Sequence, residues 1–490
     1  MNILSISYFL PMYENKEKCT KDDDFGKSSW LTKSTPVIYN YLCLIIIGLS
    51  TWCLLRNLCG DDWALGGRWF RLLIVAVAAW SCGQLLEAIT NLPSLLGALL
   101  AGILARNIGF LDMSQYTLLD ATLRKIYPVI VLGKASLGWD LTFMKCNWRR
   151  VASLGTLPWL AEVVTVVICV HLYIGFPLIW GFLLGSIYAS VSCIVVMPTV
   201  LRITKSTGSR RNWTQLVCTA GGVDTALSLG VYCLLSTFMF YDTTNEIYRY
   251  SKAGLTLFVG VVIGAIMGMG AGYIPHSLDS YVAEVRIAMV VIGGLAINAF
   301  TSEIGWGGVG GVAVLVCNAI AAKIWVKEGW KPNNNPATTA YKVMGSALEP
   351  MVFAYSGTFF EINEPLIRLM VPGLCILTIC LFVRLVVTSL VCWDFTMREK
   401  IFISCVWTPK AIVQCILCPL AIDTLIGLGK KDGAEMEYAL DMMRQLIQAI
   451  IITTPLGFLV TKHLGLRLLK ESTKNCEDMV HNANVIKTVY

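Results

Sequence analysis

Apolar stretches of roughly 20 residues recur along almost the whole chain, separated by short polar segments. A helix of about that length crosses the hydrocarbon core of a bilayer. The pattern predicts fourteen spans. The first seven lie near 37–56, 70–90, 93–110, 125–141, 152–174, 177–201 and 214–240, and the eighth near 253–275. The remaining six lie near 284–302, 305–325, 341–360, 366–392, 399–427 and 440–465. The short alternating strands of a β-barrel are missing from this pattern. The expected fold class is therefore an all-α polytopic membrane protein of about fourteen transmembrane helices, occupying 36–469.

Composition agrees with this. Of 490 residues, 56% are hydrophobic and 14% charged, where a soluble domain carries about a quarter charged residues. Most of the 18 cysteines fall inside apolar segments without regular spacing or a CxxC pair, so they read as small buried apolar residues. The four histidines are scattered and suggest no metal site, and no cofactor is expected. A net charge of +7 spread over the loops argues against nucleic acid as a partner. Residues 1–35 are polar and of mixed charge, unlike a signal or transit peptide, and are expected to form a disordered cytoplasmic tail. A polar C-terminal tail at 470–490 matches it.

An even number of spans puts both termini on one side. Lys145, Arg149 and Arg150 follow the fourth span, and Arg202, Lys205, Arg210 and Arg211 follow the sixth. Lys323, Lys327 and Lys331 follow the tenth, so the positive-inside rule places both termini in the cytoplasm. Lys430 and Lys431 would then lie outside, among nearby acids. Without a transit sequence the plasma membrane is the default location, with intracellular and mitochondrial membranes as alternatives.

Spans seven apart resemble one another. The sixth holds VSCIVVMPT with Pro198, and the thirteenth CVWTPKAIVQC with Pro409. The fifth carries Glu162 and the twelfth Arg384. Helix interruptions at matching places in two halves point to a transporter substrate site, and an odd offset inverts the second half. Two inverted repeats, about 70–240 and 284–465, with crossing broken helices, are expected. Two prolines aligned by chance are the simpler alternative.

Four ionisable residues sit deep in predicted spans: Glu162, Asp224, Arg384 and Lys410. A charge there costs roughly 2.5–3.5 kcal/mol on insertion scales, so it should face a partner or a water cavity. Glu162 and Arg384 form a natural pair that joins the two halves, as a structural tie or as part of a transport site. Lys410 follows Pro409, where it can balance loose backbone dipoles or take part in transport. Asp224 follows Gly221 and Gly222, small residues expected to leave room for ions and water around it. A carboxylate that holds a proton or a cation in turn is the minimal apparatus of a proton-coupled antiporter. A merely hydrogen-bonded or ion-paired aspartate is the alternative. Lys134 and Glu87 lie close enough to span ends to snorkel, whereas Glu349 sits nearer mid-span and can line a pathway.

The segments LPSLLGALLAGILARNI, LGWDLTFMK, AEVVTVVI, WGFLLGSIYASVSCIVVMP, EKIFISCVWTPKAIVQ and PLGFLVTKHLG resemble the animal NHA-type sodium/hydrogen exchangers of the cation/proton antiporter superfamily. The match runs from about 70 to 470. The resemblance implies a dimerisation domain beside an ion-transport core with two crossing broken helices, a homodimer, and elevator-like movement of the core. It also implies that Glu162 and Arg384 pair, and that Lys410 is the lysine after the crossover proline.

Two departures stand out. The family's ion site is a pair of adjacent acids, or Asn then Asp, whereas here Asp224 is followed by Thr225. Relatives tend to have proline after Val-Ser in the first crossover, whereas here Cys193 follows Ser192, with Pro198 retained. The family's core charges sum to −1, but Glu162, Asp224, Arg384 and Lys410 sum to zero. Thr225 can ligate a cation but does not titrate near neutral pH. The leading expectation is a secondary transporter exchanging Na⁺ or K⁺ for H⁺ by alternating access through Asp224. The alternatives are an anion/proton-coupled transporter and a transport-incompetent regulatory relative. No catalytic constellation suggests an enzyme.

Overall fold

The computed structural model describes residues 30–207, 212–240, 246–330, 335–430 and 433–489. The expected tail over 1–29 lies outside the described residues, as do Arg210, Arg211, Lys331 and Lys431 from the orientation argument. All regular structure among the described residues is helical. The order begins α1 Trp30–Cys59, α2 Arg68–Thr90, α3 Ser94–Asn107, α4 Thr117–Leu137, α5 Leu141–Cys146 and α6 Trp148–Tyr173. It continues with α7 Leu178–Tyr188, α8 Cys193–Thr207, α9 Trp213–Phe240, α10 Glu246–Tyr273, α11 Val282–Glu303 and α12 Gly307–Lys327. The last six are α13 Pro336–Gly357, α14 Glu364–Val391, α15 Met397–Val406, α16 Ile412–Leu417, α17 Leu420–Gly427 and α18 Ala434–Val489.

Each predicted apolar stretch overlies one of these helices or an interrupted run of them. Among the described residues, eight helices are long and apolar enough to cross a membrane. α1 begins inside the segment assigned to the N-terminal tail, and α18 continues into the polar C-terminal one.

Local sequence sets the helix starts. The Asn335 side chain accepts from Thr338 N–H at 2.7 Å ahead of Pro336. Thr396 and Glu399 form a reciprocal capping box at α15, which satisfies two N–H groups that a helix start would otherwise leave bare.

The contacts divide the chain into two units, one up to Ile74 and one from Val75 onward. In the first, the Trp52 indole donates to the Trp63 carbonyl at 2.9 Å and lies 5.5 Å from the Phe70 ring. The candidate site lies wholly within the second.

Within the second unit, small residues set the closest packing. Gly260, Gly264 and Gly268 recur every four residues along α10 and lie against Val312, Ala313 and Cys317 of α12, the spacing by which membrane helices approach backbone to backbone. α4 and α13 run antiparallel. A Cβ at Gly133 would overlap the Tyr341 ring, and one turn further along, Gly345 meets Ile130. This register places Tyr127 of α4 at the level of Leu348 and Glu349.

Candidate functional site

Two helices are broken. α7 ends at Tyr188 and α8 begins at Cys193, leaving Ala189–Ser192 non-helical. α15 ends at Val406 and α16 begins at Ile412, with Pro409 and Lys410 in the gap. The two breaks touch, because the Ser192 N–H donates to the Pro409 carbonyl at 2.8 Å. Pro409 marks its break as expected. Pro198 does not: it lies inside α8, six residues past Ser192. It removes the bond to the Ile194 carbonyl, yet α8 runs through it, as prolines inside membrane helices are tolerated. Ser192 and Cys193, rather than Pro198, mark the first break.

A helix that stops in the interior leaves its last carbonyls without partners and a negative dipole end in low dielectric. Here distant side chains satisfy them in succession. Gln414 Nε2 donates to the carbonyls of Ile187 at 3.0 Å and Ser190 at 2.7 Å. Lys410 Nζ donates to the Tyr188 carbonyl at 2.6 Å, and the Arg384 guanidinium to that of Ala189. On the other side of the break, the Val191 N–H donates to Asp224 Oδ1 at 2.8 Å. Cations thus meet the carbonyl end of α7, and a carboxylate meets the amide just before α8.

These charges also pair with one another. Arg384 bridges the two acids, bonding Glu162 through one nitrogen and Asp224 Oδ2 at 2.7 Å through the other. Lys410 Nζ reaches the second Glu162 oxygen at 2.6 Å. Glu162 and Asp224 are 0% exposed, and Arg384 and Lys410 are 1% exposed. Every carboxylate oxygen in this core therefore has a donor, and two acids face two bases. α18 fixes the lysine's backbone, since Thr453 accepts from Lys410 N–H at 3.0 Å and Thr454 donates to its carbonyl at 2.6 Å.

α9 presents two faces. Gly221, Asp224 and Ser228 look toward the core, where the Trp159 indole donates to Ser228 at 2.7 Å. Gly222, Ala226 and Leu229 carry the Trp139 indole, which packs with Val129 and Leu132 of α4 and Val314 of α12. Thr225, half-buried, lies between these faces, three residues after Gly222 and four after Gly221. Asp224 and Thr225 are adjacent in sequence but look in different directions.

The expectation that Gly221 and Gly222 leave room for ions and water is overturned. A Cβ at Gly221 would overlap the Cys193 sulfur, and one at Gly222 the Trp139 ring. Both glycines are seats for side chains, so their smallness is used for protein packing.

Sequence reasoning missed Gln414, Thr453 and Thr454 as parts of the site. Gln414 follows Lys410 by four residues, and a lone amide in an apolar segment was the signal available. Among the described residues, no group of three His, Cys, Asp or Glu side chains is placed to hold a metal ion.

The family described as "Sodium/hydrogen exchanger, transmembrane" matches residues 72–462. Sodium/hydrogen exchanger 9B2 of Homo sapiens is 30% identical over 450 residues, covering 89% of this chain and 81% of that protein. Sodium/hydrogen exchanger 9B1 of Homo sapiens is 28% identical over 447 residues, covering 88% and 84%. The sodium proton antiporter MjNhaP1 from Methanocaldococcus jannaschii superposes with a TM-score of 0.66 at 16% identity, covering 81% of this chain and 97% of that one. That likeness shows a shared fold. With a family match over most of the chain and charges buried at two touching helix breaks, this multi-pass membrane protein belongs to the sodium/hydrogen exchanger family.

Proposed function

We propose that the chain exchanges a monovalent cation, Na⁺ or K⁺, for protons by alternating access, with Asp224 as the shared site. One observation carries the reading. Asp224 hangs at the crossing of the broken helices, and its charge partner Arg384 has two further acceptors, Glu162 and the Ala189 carbonyl. Arg384 can therefore release Asp224 without losing all its bonds. A proton or a cation can take the vacated Oδ2, but not both, which is the condition for obligatory exchange. The filled core then carries the same charge with either ion, so the exchange is one for one. The two breaks serve as matching members of inverted repeats. Homodimeric assembly and movement of the core are carried over from the family resemblance.

A second reading has an observation of its own. All four carboxylate oxygens of the core are already engaged, and Thr225 supplies no acid. A core held permanently in this state would make the chain a transport-incompetent regulatory relative.

Reconstitution into liposomes with an internal pH dye tests both, with Na⁺, Li⁺, K⁺ and Cl⁻ added in turn. Proton flux driven by Na⁺ or K⁺ and abolished by Asp224→Asn is expected. Flux driven only by Cl⁻ contradicts the cation reading. Silence in the wild type with activity in Thr225→Asp overturns exchange and leaves the regulatory relative.

A further inference from the structure

Outside the four-charge core, Glu349 is a mid-span carboxylate with no ion pair among the described residues. It is the fourteenth residue of α13 and is half-buried. Lys342, Ser346 and Glu349 are spaced by four and then three residues, which places them on one stripe of the helix. Lys342 and Ser346 are exposed, Glu349 is half-buried, and in the next turn Val352 and Phe353 are 4% and 0% exposed. The stripe therefore runs from the end where α13 begins to a closed floor at mid-helix. These polar residues also explain why α13 is not among the eight helices apolar enough to cross a membrane by composition.

The opposite wall is α4. Its register against α13 sets Lys134 near the mouth, beside Tyr341 and Lys342, and Tyr127 at the depth of Glu349. Lys134 is the charged side chain that faces Glu349, and the buried Tyr127 is the other titratable group beside it on α4. On α16, Cys415 is the titratable neighbour, its sulfur 3.9 Å from the Val352 carbonyl. Ser356 donates to the Cys415 carbonyl at 3.2 Å. The residue before Cys415 is Gln414, which caps the broken α7 from the other side of α16. One short helix thus separates the floor of the stripe from the crossing of the broken helices.

A mid-span carboxylate against lipid is strongly unfavourable, so Glu349 requires the polar stripe for its surroundings, with Lys134 as its charged neighbour. The adjoining lysines cannot bind a cation and repel one at the mouth, which leaves Glu349 and Ser346 as the oxygen ligands of the stripe. We propose that Glu349 is a second ion-exchanging carboxylate of this chain, taking up a proton or a monovalent cation at the closed end of the polar stripe between α4 and α13. It stands outside the core, and it supplies the free acid that Thr225 does not. The proposal rests on the monovalent cation/proton reading for its place in transport, but binding at Glu349 is testable without transport.

The test uses the purified full chain in lipid vesicles and dicyclohexylcarbodiimide, which adds covalently to protonated carboxylic acids within membranes. Peptide mass spectrometry then locates the adduct. An adduct at Glu349 that fades as pH rises, and that Na⁺ or K⁺ suppresses, is expected. Glu162, held by Arg384 and Lys410, should stay unmodified, and Asp224 lies on a different stretch of chain, so any adduct there is read separately from the one at Glu349. Failure of Glu349 to react at low pH, or a reaction indifferent to both cations, overturns the proposal. Flux supplies the second arm: Glu349→Gln should lower cation-driven proton flux about tenfold or more, with Glu349→Asp retaining part of it. Wild-type flux unchanged by Glu349→Gln overturns the proposal and leaves the exchange reading standing. A silent wild type with cation-protected labelling does the reverse.

Discussion

The membrane-embedded charges of this protein fall into two regions with opposite designs. In the core, Glu162, Asp224, Arg384 and Lys410 are at most 1% exposed, and each acid meets a base. Along α4 and α13, Lys134, Lys342 and Glu349 are half-buried or exposed, and Glu349 makes no ion pair among the described residues. The core charges satisfy the backbone groups freed at the break between α7 and α8, so they hold the fold as well as offering chemistry. The α13 carboxylate holds nothing in place. Removing a charge should therefore cost stability in the first region and activity, without stability, in the second.

The sharpest way to break this contrast is Arg384→Met. It strips Glu162, Asp224 and the Ala189 carbonyl of a shared donor, and a buried ion left unpaired costs roughly 3–5 kcal/mol. The thermal unfolding midpoint in detergent should drop further than for Lys410→Met, Gly222→Ala or Glu349→Gln. A near-wild-type midpoint would mean that the core charges do not support the fold.

Lys410→Met should cost less, about 1–3 kcal/mol, because Glu162 keeps Arg384. The double variant Lys410→Met/Glu162→Gln should recover part of that loss. Additive losses in the double-mutant cycle would mean that the two residues are not coupled.

Gly222→Ala tests the packed second face of α9. The added methyl meets the Trp139 ring, and overpacking of this kind costs roughly 1–3 kcal/mol. Trp139→Leu in the same background should relieve the cost. The unfolding midpoint reads both changes.

The smallest expected effect on stability is at Glu349→Gln, within about 0.5 kcal/mol, as for a group that supports no partner. A midpoint lowered as far as in the core variants would place Glu349 in the framework of the fold.

Much of this was legible in the sequence. Runs of about 20 apolar residues anticipate the helices because the bilayer sets their length. Glu162, Asp224, Arg384 and Lys410 stood out because charges in apolar segments are costly and therefore few. Partner choice was not legible. The sequence suggests one Glu–Arg pair, whereas Arg384 serves two acids and a carbonyl, and Lys410 takes the free oxygen of Glu162. These choices depend on where α7 stops, and Pro198 misdirects that reading because α8 runs through it and the break lies at Ala189–Ser192. Gly221 and Gly222 misled similarly: smallness shows that something approaches closely, but not whether it is water, an ion, a cysteine or a tryptophan. Glu349 was visible as a mid-span acid. The stripe that gives it meaning required the exposure of Lys342 and Ser346.

The central claim is that a proton and a cation compete for Asp224. Binding of radioactive Na⁺ to the full chain in a Glu349→Gln background, measured across pH, tests it most directly. Binding should weaken as pH falls and disappear in Asp224→Asn. Binding that persists unchanged in Asp224→Asn would contradict the claim.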